Sequence, residues 1–478
     1  SAVELGAQRV LTVQAPSRTA LLHAVRTADP GGRSAMAAVV DRGSDPPVLA
    51  VDSSRLAAVA SWRPEYGPAA ALSRAVASVG RSPAPPPVTG DSLTLRLRND
   101  RRTTASLVVT LQNETTGAPV PVTFGPFGRG EHTAAAPVRG CAQGCRLVRL
   151  GLGEPATMDS ALTVTGLTQG GAQGGATLLG VEQLGDIGLW RSDIAGMAAE
   201  VSARDGALTL AAERSADPGA SPGTEAYVVD APLPLPVVMA GPQPEEWRFT
   251  DPGVLSFGNG LTPIRVIGTP GVLPVLGGAG ILTDLESARR VSAETNLGGS
   301  YQVWLAPNAG SSIVDRLTGA GLTVSADESA AARSDRLDRQ GPAVAARFAL
   351  LAALAGLLVA AAAAAVAAAV DRSAQTEQLA ALRLQGLARR DAVAAGYLGL
   401  SVLVVAAVAG GLLAAAVARP LAGVVVPPFT DAWREIEPPG ALGLPALASA
   451  GLVAFVLLAA TTAFAVLPLI RRLRGGAR

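Results

Sequence analysis

Three long stretches without a charged side chain follow one another near the C-terminus, at residues 348–370, 392–418 and 438–470. A helix needs about 20 apolar residues to cross a bilayer, because each residue adds about 1.5 Å, so all three are long enough. A soluble core does not need successive helices that are apolar on every face over this length. We therefore predict a domain with three transmembrane helices over residues 341–478.

Arginines set the predicted orientation. The loop 371–391 and the segment after residue 470 each hold four arginines, whereas the loop 419–437 holds two beside three acidic residues. Cytoplasmic loops carry the excess of positive charge. We expect a multi-pass protein of the plasma membrane, with residues 1–347 extracytoplasmic and the C-terminus cytoplasmic. Since residue 1 follows no hydrophobic leader, we also expect a preceding membrane segment, missing here or on another chain.

Charge and composition exclude some functions. The net charge of +1 combines 28 Arg against 32 acids in residues 1–340 with 11 Arg against 6 acids in residues 341–478. A strongly basic nucleic-acid-binding protein is therefore not expected. The chain contains no lysine, which rules out the phosphate-binding loop G-x-x-x-x-G-K-[ST]. Any use of ATP would require an ATPase on a different chain.

Residues 1–80 alternate between strand and helix patterns. We predict strands at Val10–Val13, Ala35–Val40 and Val48–Val51, and helices from Ser17 to about Ala28 and over Ser53–Trp62. Serine is a favoured N-cap because its hydroxyl accepts a hydrogen bond from a free backbone N–H of the first turn. These residues form the first part of an extracytoplasmic α/β subdomain. The proline-rich segment 81–87 follows as a stiff linker.

Between residues 85 and 215 the pattern changes to strict alternation. Leu93, Leu95 and Leu97 alternate with polar residues, which is typical of a strand with one buried face. Further strands are predicted at Ser106–Leu111, Val120–Phe124, Arg146–Leu152, Ala161–Val164 and Ala207–Ala211. Short strands at this spacing indicate an inserted β-sandwich.

Residues 225–340 return to the α/β pattern and form the second part of that subdomain. Tyr301–Leu305 and Leu322–Ser325 are predicted strands, and Ser311–Ala320 is a predicted helix. Ser325 and Glu328 have the spacing of a capping box and predict the start of a long stalk helix. This helix either carries motion towards the first span or is a solvated connector. The sequence leaves both open.

The two cysteines, Cys141 and Cys145, lie just before a predicted strand. Outside the membrane, a disulfide that closes a tight turn is the favoured interpretation. A metal site would need more ligands, and the chain holds two histidines, His23 in a predicted helix and His132 in a predicted β loop. We find no catalytic motif, so we expect no catalytic residue, metal or cofactor.

The loop between the first two spans carries the most informative motif, E-x-L-A-A-L-R-x-x-G-x-x-R-R. Apart from its two alanines, its defined positions are Glu377, Leu379, Leu382, Arg383, Gly386, Arg389 and Arg390. On a helix the leucines share one side, which suits docking on a cytoplasmic partner. A plain positively charged loop lying on lipid explains the same periodicity equally well.

This motif, directly after a span, resembles the corresponding segment of FtsX-like (MacB-type) ABC transporter permeases, in the C-terminal half of the large actinobacterial type. Residues 301–346 resemble the end of the outside domain in such permeases, and Gly140–Leu147 resembles part of their galactose-binding-like sandwich. The order of outside domain, long helix, span, loop, two spans and basic tail is similar too. The implied fold is an α+β extracytoplasmic region with an inserted galactose-binding-like sandwich, followed by three transmembrane helices.

The resemblance implies that the seven loop residues form a coupling helix on a cytoplasmic ABC ATPase subunit. That partner would hydrolyse ATP and thereby move the outside domain, for export or mechanotransmission. Membrane lipid and another permease half or subunit are the other implied partners. The alternative is a membrane-anchored extracellular protein that binds carbohydrate or cell wall. An anchored enzyme is a third possibility, for which the sequence offers no nucleophile motif.

Overall fold

The chain divides into two compact units, Ala2–Arg333 and Ser334–Arg478. The computed structural model describes residues 5–78, 84–154, 156, 159–170, 175–192, 200–212, 224–248, 250–254, 262–292, 298–337, 339, 341–370, 378, 381, 385, 388–422 and 444–475. It is a mixed α/β fold with extended sheets and one helix that is long and apolar enough, in the described part, to cross a membrane.

The first elements follow the predicted order, with one additional helix at Ala71–Ser78 that was not predicted. They are β1 (Arg9–Gln14), α1 (Arg18–Ala28), β2 (Ala35–Asp41), β3 (Val48–Val51), α2 (Leu56–Val59) and α3 (Ala71–Ser78). The Ser17 hydroxyl accepts a 2.9 Å hydrogen bond from the Ala20 N–H, as an N-cap should. The helix predicted over Ser53–Trp62 was too long. The backbone is extended at Ala60 and again at Arg63, where the ring of Pro64 disfavours the helical conformation.

The next elements form a β-sandwich. They are β4 (Ser92–Asn99), β5 (Ala105–Asn113), β6 (Pro119–Phe127), β7 (Gly130–Pro137), β8 (Cys145–Gly153), β9 (Ala161–Gly170), β10 (Ala176–Leu179), α4 (Val181–Gly185), β11 (Trp190–Ser192), β12 (Glu200–Arg204), β13 (Ala207–Ala211) and β14 (Glu225–Val228). In the described residues, one sheet has the order β12-β13-β9-β4-β7, with β10 on β9, and the other β11-β14-β8-β5-β6. Alternate residues of both sheets, such as Leu95 and Val109, form one apolar core between them.

Three sequence expectations about the sandwich can be compared with this structure. The predicted Cys141–Cys145 disulfide is confirmed, with the two Cα atoms 5.1 Å apart. His132 does not lie in a loop, because it belongs to β7 and pairs with Leu97 of β4. The predicted insert ended at residue 215, yet Glu225–Val228 pairs with β8 and completes the second sheet.

The remaining elements of the first unit complete a nine-stranded sheet. They are β15 (Leu235–Ala240), β16 (Gly253–Val254), β17 (Thr262–Gly268), β18 (Gly280–Asp284), α5 (Leu285–Ser292), β19 (Ser300–Leu305), α6 (Ser312–Gly319), β20 (Thr323–Ser329) and α7 (Ala330–Leu337). Across the described chain the order is β16-β17-β15-β18-β3-β2-β19-β1-β20, with parallel pairs β15–β17 and β18–β3 and antiparallel pairing elsewhere. Strands from both sides of the sandwich insert therefore build a single sheet.

Both faces of this sheet are covered. Residues of β2 alternate between two apolar clusters, one shared with α1, α5 and α6 and the other with α2 and α3. Ala35 and Ala37 belong to the first cluster, and Met36 and Ala38 to the second. Double-sided burial explains why β2 and β3 are continuous apolar runs in the sequence. We call this sheet, together with the helices on its two faces, the α/β layer.

The capping-box prediction at Ser325 and Glu328 was wrong. Both residues lie in β20, where Glu328 is opposite Val10 of β1. The backbone hydrogen bonds that β1 offers along this edge outweigh the local preference for a helix start. Helix α7 begins at Ala330 instead, and the Ser329 hydroxyl accepts a hydrogen bond from the Ala332 N–H at 3.1 Å.

The second unit contains α8 (Gly341–Val370), α9 (Arg389–Ala422) and α10 (Leu444–Gly475). Ala361, Val404 and Leu458 bring the three helices together in a small apolar cluster. Within the described residues, only Arg347–Ala367 is long and apolar enough to cross a membrane. Helices α9 and α10 contain shorter apolar stretches, Val404–Ala415 and Ala448–Thr461. Of the three predicted spans, the structure therefore supports the first.

Candidate functional site

Charged side chains meet where the β-sandwich contacts the α/β layer, and we call this cluster the ionic junction. It consists of Arg26, Asp52, Glu114, Arg146, Asp230, Glu286, Arg289 and Arg290. Helices α1 and α5 and the end of β3 supply residues from the α/β layer. Strand β8 and the turns after β5 and β14 supply the others.

Arg289 of α5 is the centre of the contact between the two layers. Its guanidinium donates to Glu114 at 2.8 Å and to Glu286 at 2.6 Å, and it also contacts the Thr19 hydroxyl of α1 at 3.3 Å. The side chain is 5% exposed. A charged group that is this buried needs such partners, because losing its hydration is costly.

A second buried pair lies on the sandwich side of the junction. Arg146 donates to Asp230 at 2.8 Å and to the Gln112 side-chain oxygen at 2.8 Å. Arg290 of α5 donates to the same Asp230 oxygen at 3.1 Å. Two atoms of the buried pair, Arg146 Nη2 and Asp230 Oδ1, have no hydrogen-bond partner among the described residues. The pair is therefore held by few bonds and is sensitive to the loss of either partner.

Burial and the attraction of oppositely charged neighbours shift the pKa values of Glu286 and Arg146 in opposite directions. Burial raises the pKa of Glu286, but the positive charges of Arg289 and Arg290 outweigh it and lower that pKa to about 2. Burial lowers the pKa of Arg146 more than the attraction of Asp230 raises it, and repulsion from Arg289 and Arg290 adds to the lowering. The arginines around Glu286 thus hold its carboxylate ionised at neutral pH.

Backbone contacts strengthen the same interface. The Ser17 hydroxyl, which caps α1, donates to the Thr116 carbonyl of the β5–β6 turn at 2.7 Å. Gly117 has a φ of +75°, and a Cβ placed there would lie 2.3 Å from the Ser17 hydroxyl oxygen. A side chain at this position would separate the turn from the helix. On the other side, Arg191 donates to the Val291 carbonyl of α5 at 2.6 Å.

These contacts fix orientation and offer no visible chemistry. The junction contains acids and arginines that neutralise one another, and it contains no nucleophile next to a base. No group of three or more His, Cys, Asp or Glu suited to a metal ion occurs in the described part of the chain. The arrangement holds the sandwich on the α/β layer.

A second set of contacts fastens the last strand of the sheet. Arg9 of β1 pairs with Asp327 of β20 through two hydrogen bonds, and the Ala330 N–H donates to the Gln8 carbonyl at 2.9 Å. Arg333 of α7 reaches back to Glu328 at 2.9 Å. The beginning of α7 is therefore attached to the sheet by side chains as well as by the chain itself.

The sequence-predicted loop residues are mostly beyond what the structure describes. Glu377, Leu379, Leu382, Arg383 and Gly386 lie outside the described residues. Arg389 and Arg390 are the first two residues of α9. Their expected contact with an ATPase stays a prediction.

The two histidines take no part in the junction. His23 is an exposed residue of α1. His132 shares a 2.7 Å hydrogen bond with the Gly128 carbonyl, and its ring lies 5.2 Å from that of Phe127.

The ionic junction was missed at the sequence level. One local signal was present, since Glu286, Arg289 and Arg290 are spaced three and four residues apart on one helix side. Such spacing is common on solvated helices and does not indicate burial against a second layer. No family model, no curated protein and no solved structure matches this chain.

Proposed function

We propose that the chain is the permease subunit, or its C-terminal half, of an FtsX-like (MacB-type) ABC transporter of the large actinobacterial type. A separate cytoplasmic ATPase would drive movement of residues 1–347 outside the plasma membrane, for export or mechanotransmission. One observation carries the proposal: the edge strand β20 continues along the chain through α7 into the apolar helix α8. A folded region that is joined along the chain to a membrane helix can follow its motion.

The exposure of the helices supports a membrane location. Within the most apolar 18-residue window of Arg347–Ala367, only 6% of the window is buried. The core helix of a soluble protein would be mostly buried. Large apolar side chains on all three helices are more than half exposed: Phe348, Leu350, Leu358, Leu398, Leu413, Leu452 and Phe464. In water such side chains would favour aggregation, and in lipid they would be solvated. We propose that α8, α9 and α10 are the three spans.

The disulfide supports the proposed orientation. Cys141 and Cys145 are joined within the first unit, and disulfides persist mainly in oxidising compartments outside the cytoplasm. A two-sheet sandwich is also the architecture expected for the galactose-binding-like insert of the family. Placing residues 1–347 outside leaves the arginine-rich loop 371–391 on the cytoplasmic side, where an ATPase could contact it.

The contacts of the first unit explain how motion would spread. A displacement of α7 would reach β20 through the chain and through the Arg333–Glu328 pair. The nine-stranded sheet would then carry it to α5, and the ionic junction would pass it to the sandwich. In this scheme the chain performs no chemistry, and ATP hydrolysis occurs on the partner.

Purification of the full chain in mild detergent from its own membranes tests the proposal. We expect an ATP-binding subunit with Walker motifs to co-purify, and Leu382→Asp and Arg383→Glu to reduce the co-purified ATPase activity at least tenfold. The matched control is Arg265→Glu, which reverses the charge of an exposed residue of β17. Full retention of the ATPase by both loop variants would exclude the coupling-helix assignment.

A polar recess on the sandwich favours one alternative function, that of a membrane-anchored protein that binds carbohydrate or cell wall. The recess has a volume of about 360 Å³ and lies across neighbouring strands of the six-stranded sheet, with Arg98, Thr163, Thr209 and Glu200 in its lining. Carboxylate, guanidinium and hydroxyl groups can hydrogen-bond a polyhydroxylated ligand. The Arg98–Asp100 and Thr163–Thr209 pairs already satisfy part of this set.

Pull-down of the full chain on insoluble cell-wall polysaccharide distinguishes the alternative. It predicts saturable binding that Glu200→Gln weakens about tenfold, as expected for losing a hydrogen bond to a charged group. It also predicts that no ATPase co-purifies. Binding that Glu200→Gln leaves unchanged would argue against the recess as the site.

A further inference from the structure

The α/β layer contains an apolar cavity that the junction and the permease proposal do not use. We propose that it is a binding pocket for a small apolar organic cation, such as an aryl-substituted ammonium. Two parts of the fold form it. One is the segment from α2 to the start of α3, and the other is formed by strands β15 and β18 and the end of β17.

The size and lining of the cavity suit such a ligand. Its volume is about 360 Å³, within the range of about 300–1,000 Å³ typical of small-molecule sites. The floor is apolar, with Val238, Ile267 and Leu282 from the sheet and Leu72 from α3. An apolar body placed on this floor would be removed from water, which is favourable in proportion to the area buried.

An aromatic wall lies beside this floor. Trp62 and Tyr66 pack edge to face, with ring centroids 5.2 Å apart and planes at 74°. The Trp62 indole N–H donates to the Gly67 carbonyl at 2.6 Å, which fixes the ring within the loop. Aromatic faces attract cations, most strongly on tryptophan, because their electron density lies above and below the ring.

The charge at the mouth selects for a cation. Glu65 belongs to the short 3-10 helix Pro64–Tyr66, lines the cavity and is exposed. It is the charged residue among the lining residues, all of which the structure describes. A carboxylate beside an aromatic wall favours a positively charged head group and disfavours an anion.

The sheet has a β-bulge beside the cavity. The parallel pairing of β15 and β17 shifts register between Val237 and Val238, and Val238 is opposite Gly268. Both Val238 and Gly268 line the cavity. Bulges are frequent beside binding sites, where they redirect side chains. A Cβ at Gly268 would lie 3.9 Å from Val238, so a larger residue fits the backbone and would extend into the cavity.

Two probes and two variants of the full chain in detergent test the pocket. The probes are phenethyltrimethylammonium and its carbon isostere, in which tert-butyl replaces the trimethylammonium group, with binding followed by ligand-observed NMR. We expect saturable binding of the cation with a Kd at least about tenfold lower than that of the isostere. This ratio corresponds to about 1.4 kcal/mol of binding free energy from the interaction of the positive charge with the aromatic rings and Glu65. Glu65→Gln should weaken the cation about fivefold and leave the isostere unchanged.

Gly268→Leu should abolish saturable binding of both probes, since its side chain fills the cavity. Because Glu65 is exposed, we expect Glu65→Gln to fold normally. Its effect on cation binding therefore tests the role of the charge even if Gly268→Leu is unstable. Equal binding of the two probes to the wild type would overturn the proposal, as would undiminished cation binding by a folded Gly268→Leu variant. These experiments need no ATPase, so they succeed or fail independently of the permease proposal.

Discussion

Replacing Asp230 by alanine should lower the free energy of unfolding of the first unit by about 3–5 kcal/mol, the usual cost of breaking a buried ion pair from one side. The Arg146 guanidinium would remain buried with Gln112 at 2.8 Å and Glu114 at 3.4 Å. Neither replaces the 2.8 Å contact with Asp230. Urea unfolding of the detergent-solubilised chain, followed by tryptophan fluorescence, measures the loss.

Three comparisons make this result specific. Asp251→Ala, which removes an exposed acid from the same unit, should change stability by less than about 0.5 kcal/mol. Arg146→Met should cost less than Asp230→Ala, because Asp230 then keeps Arg290. Combining Arg146→Met with Asp230→Leu should recover at least half of the loss, since no buried charge is then left alone at that pair. A change below about 1 kcal/mol for Asp230→Ala would contradict the buried pair.

Strong local signals predicted much of the α/β layer. Helix α1 was placed from Ser17 to Ala28, because a capping hydroxyl and a following Asp-Pro mark its two ends. Strand β3 was predicted with its observed bounds, Val48–Val51. Short apolar runs between turn residues indicate strands buried on both faces, and the structure places helices on both sides of this sheet.

Long-range pairing explains the elements that were missed. Residues 325–328 favour a helix start locally, and their place beside β1 depends on a partner more than 300 residues earlier in the chain. Strand β14 was missed because its partner strand, β8, lies far earlier in the chain. Tertiary hydrogen bonding decides such cases, and no short window of sequence contains it.

The ionic junction was hidden for the same reason. Glu114 and Arg289 are 175 residues apart, and Arg146 and Asp230 are 84 apart. Arginines and acids are ordinarily exposed, so their sequence positions give no indication that they are buried together. The loop motif of the predicted coupling helix is the opposite case. It can be recognised from a short stretch of sequence, but its expected contacts are with a partner chain.

Glu286→Gln should destabilise the first unit by about 3 kcal/mol at neutral pH. The pKa of Glu286 is lowered from 4.5 to about 2, and a tenfold change in proton affinity corresponds to about 1.4 kcal/mol. A neutral glutamine would leave Arg26, Arg289 and Arg290 close together without the carboxylate that separates their charges. The same urea titration measures the effect, with the exposed Glu182→Gln of α4 as the control.

The pH dependence identifies the carboxylate as the cause. A group whose pKa is lower in the folded state contributes stability above its unfolded pKa, and that stability disappears as pH falls towards the folded pKa. The difference between the wild type and Glu286→Gln should therefore be constant above about pH 5, shrink below pH 4.5 and nearly vanish near pH 2. A difference that stayed constant down to pH 2 would mean that the substitution acts through packing, and the ionised carboxylate would not be what stabilises the arginines around it.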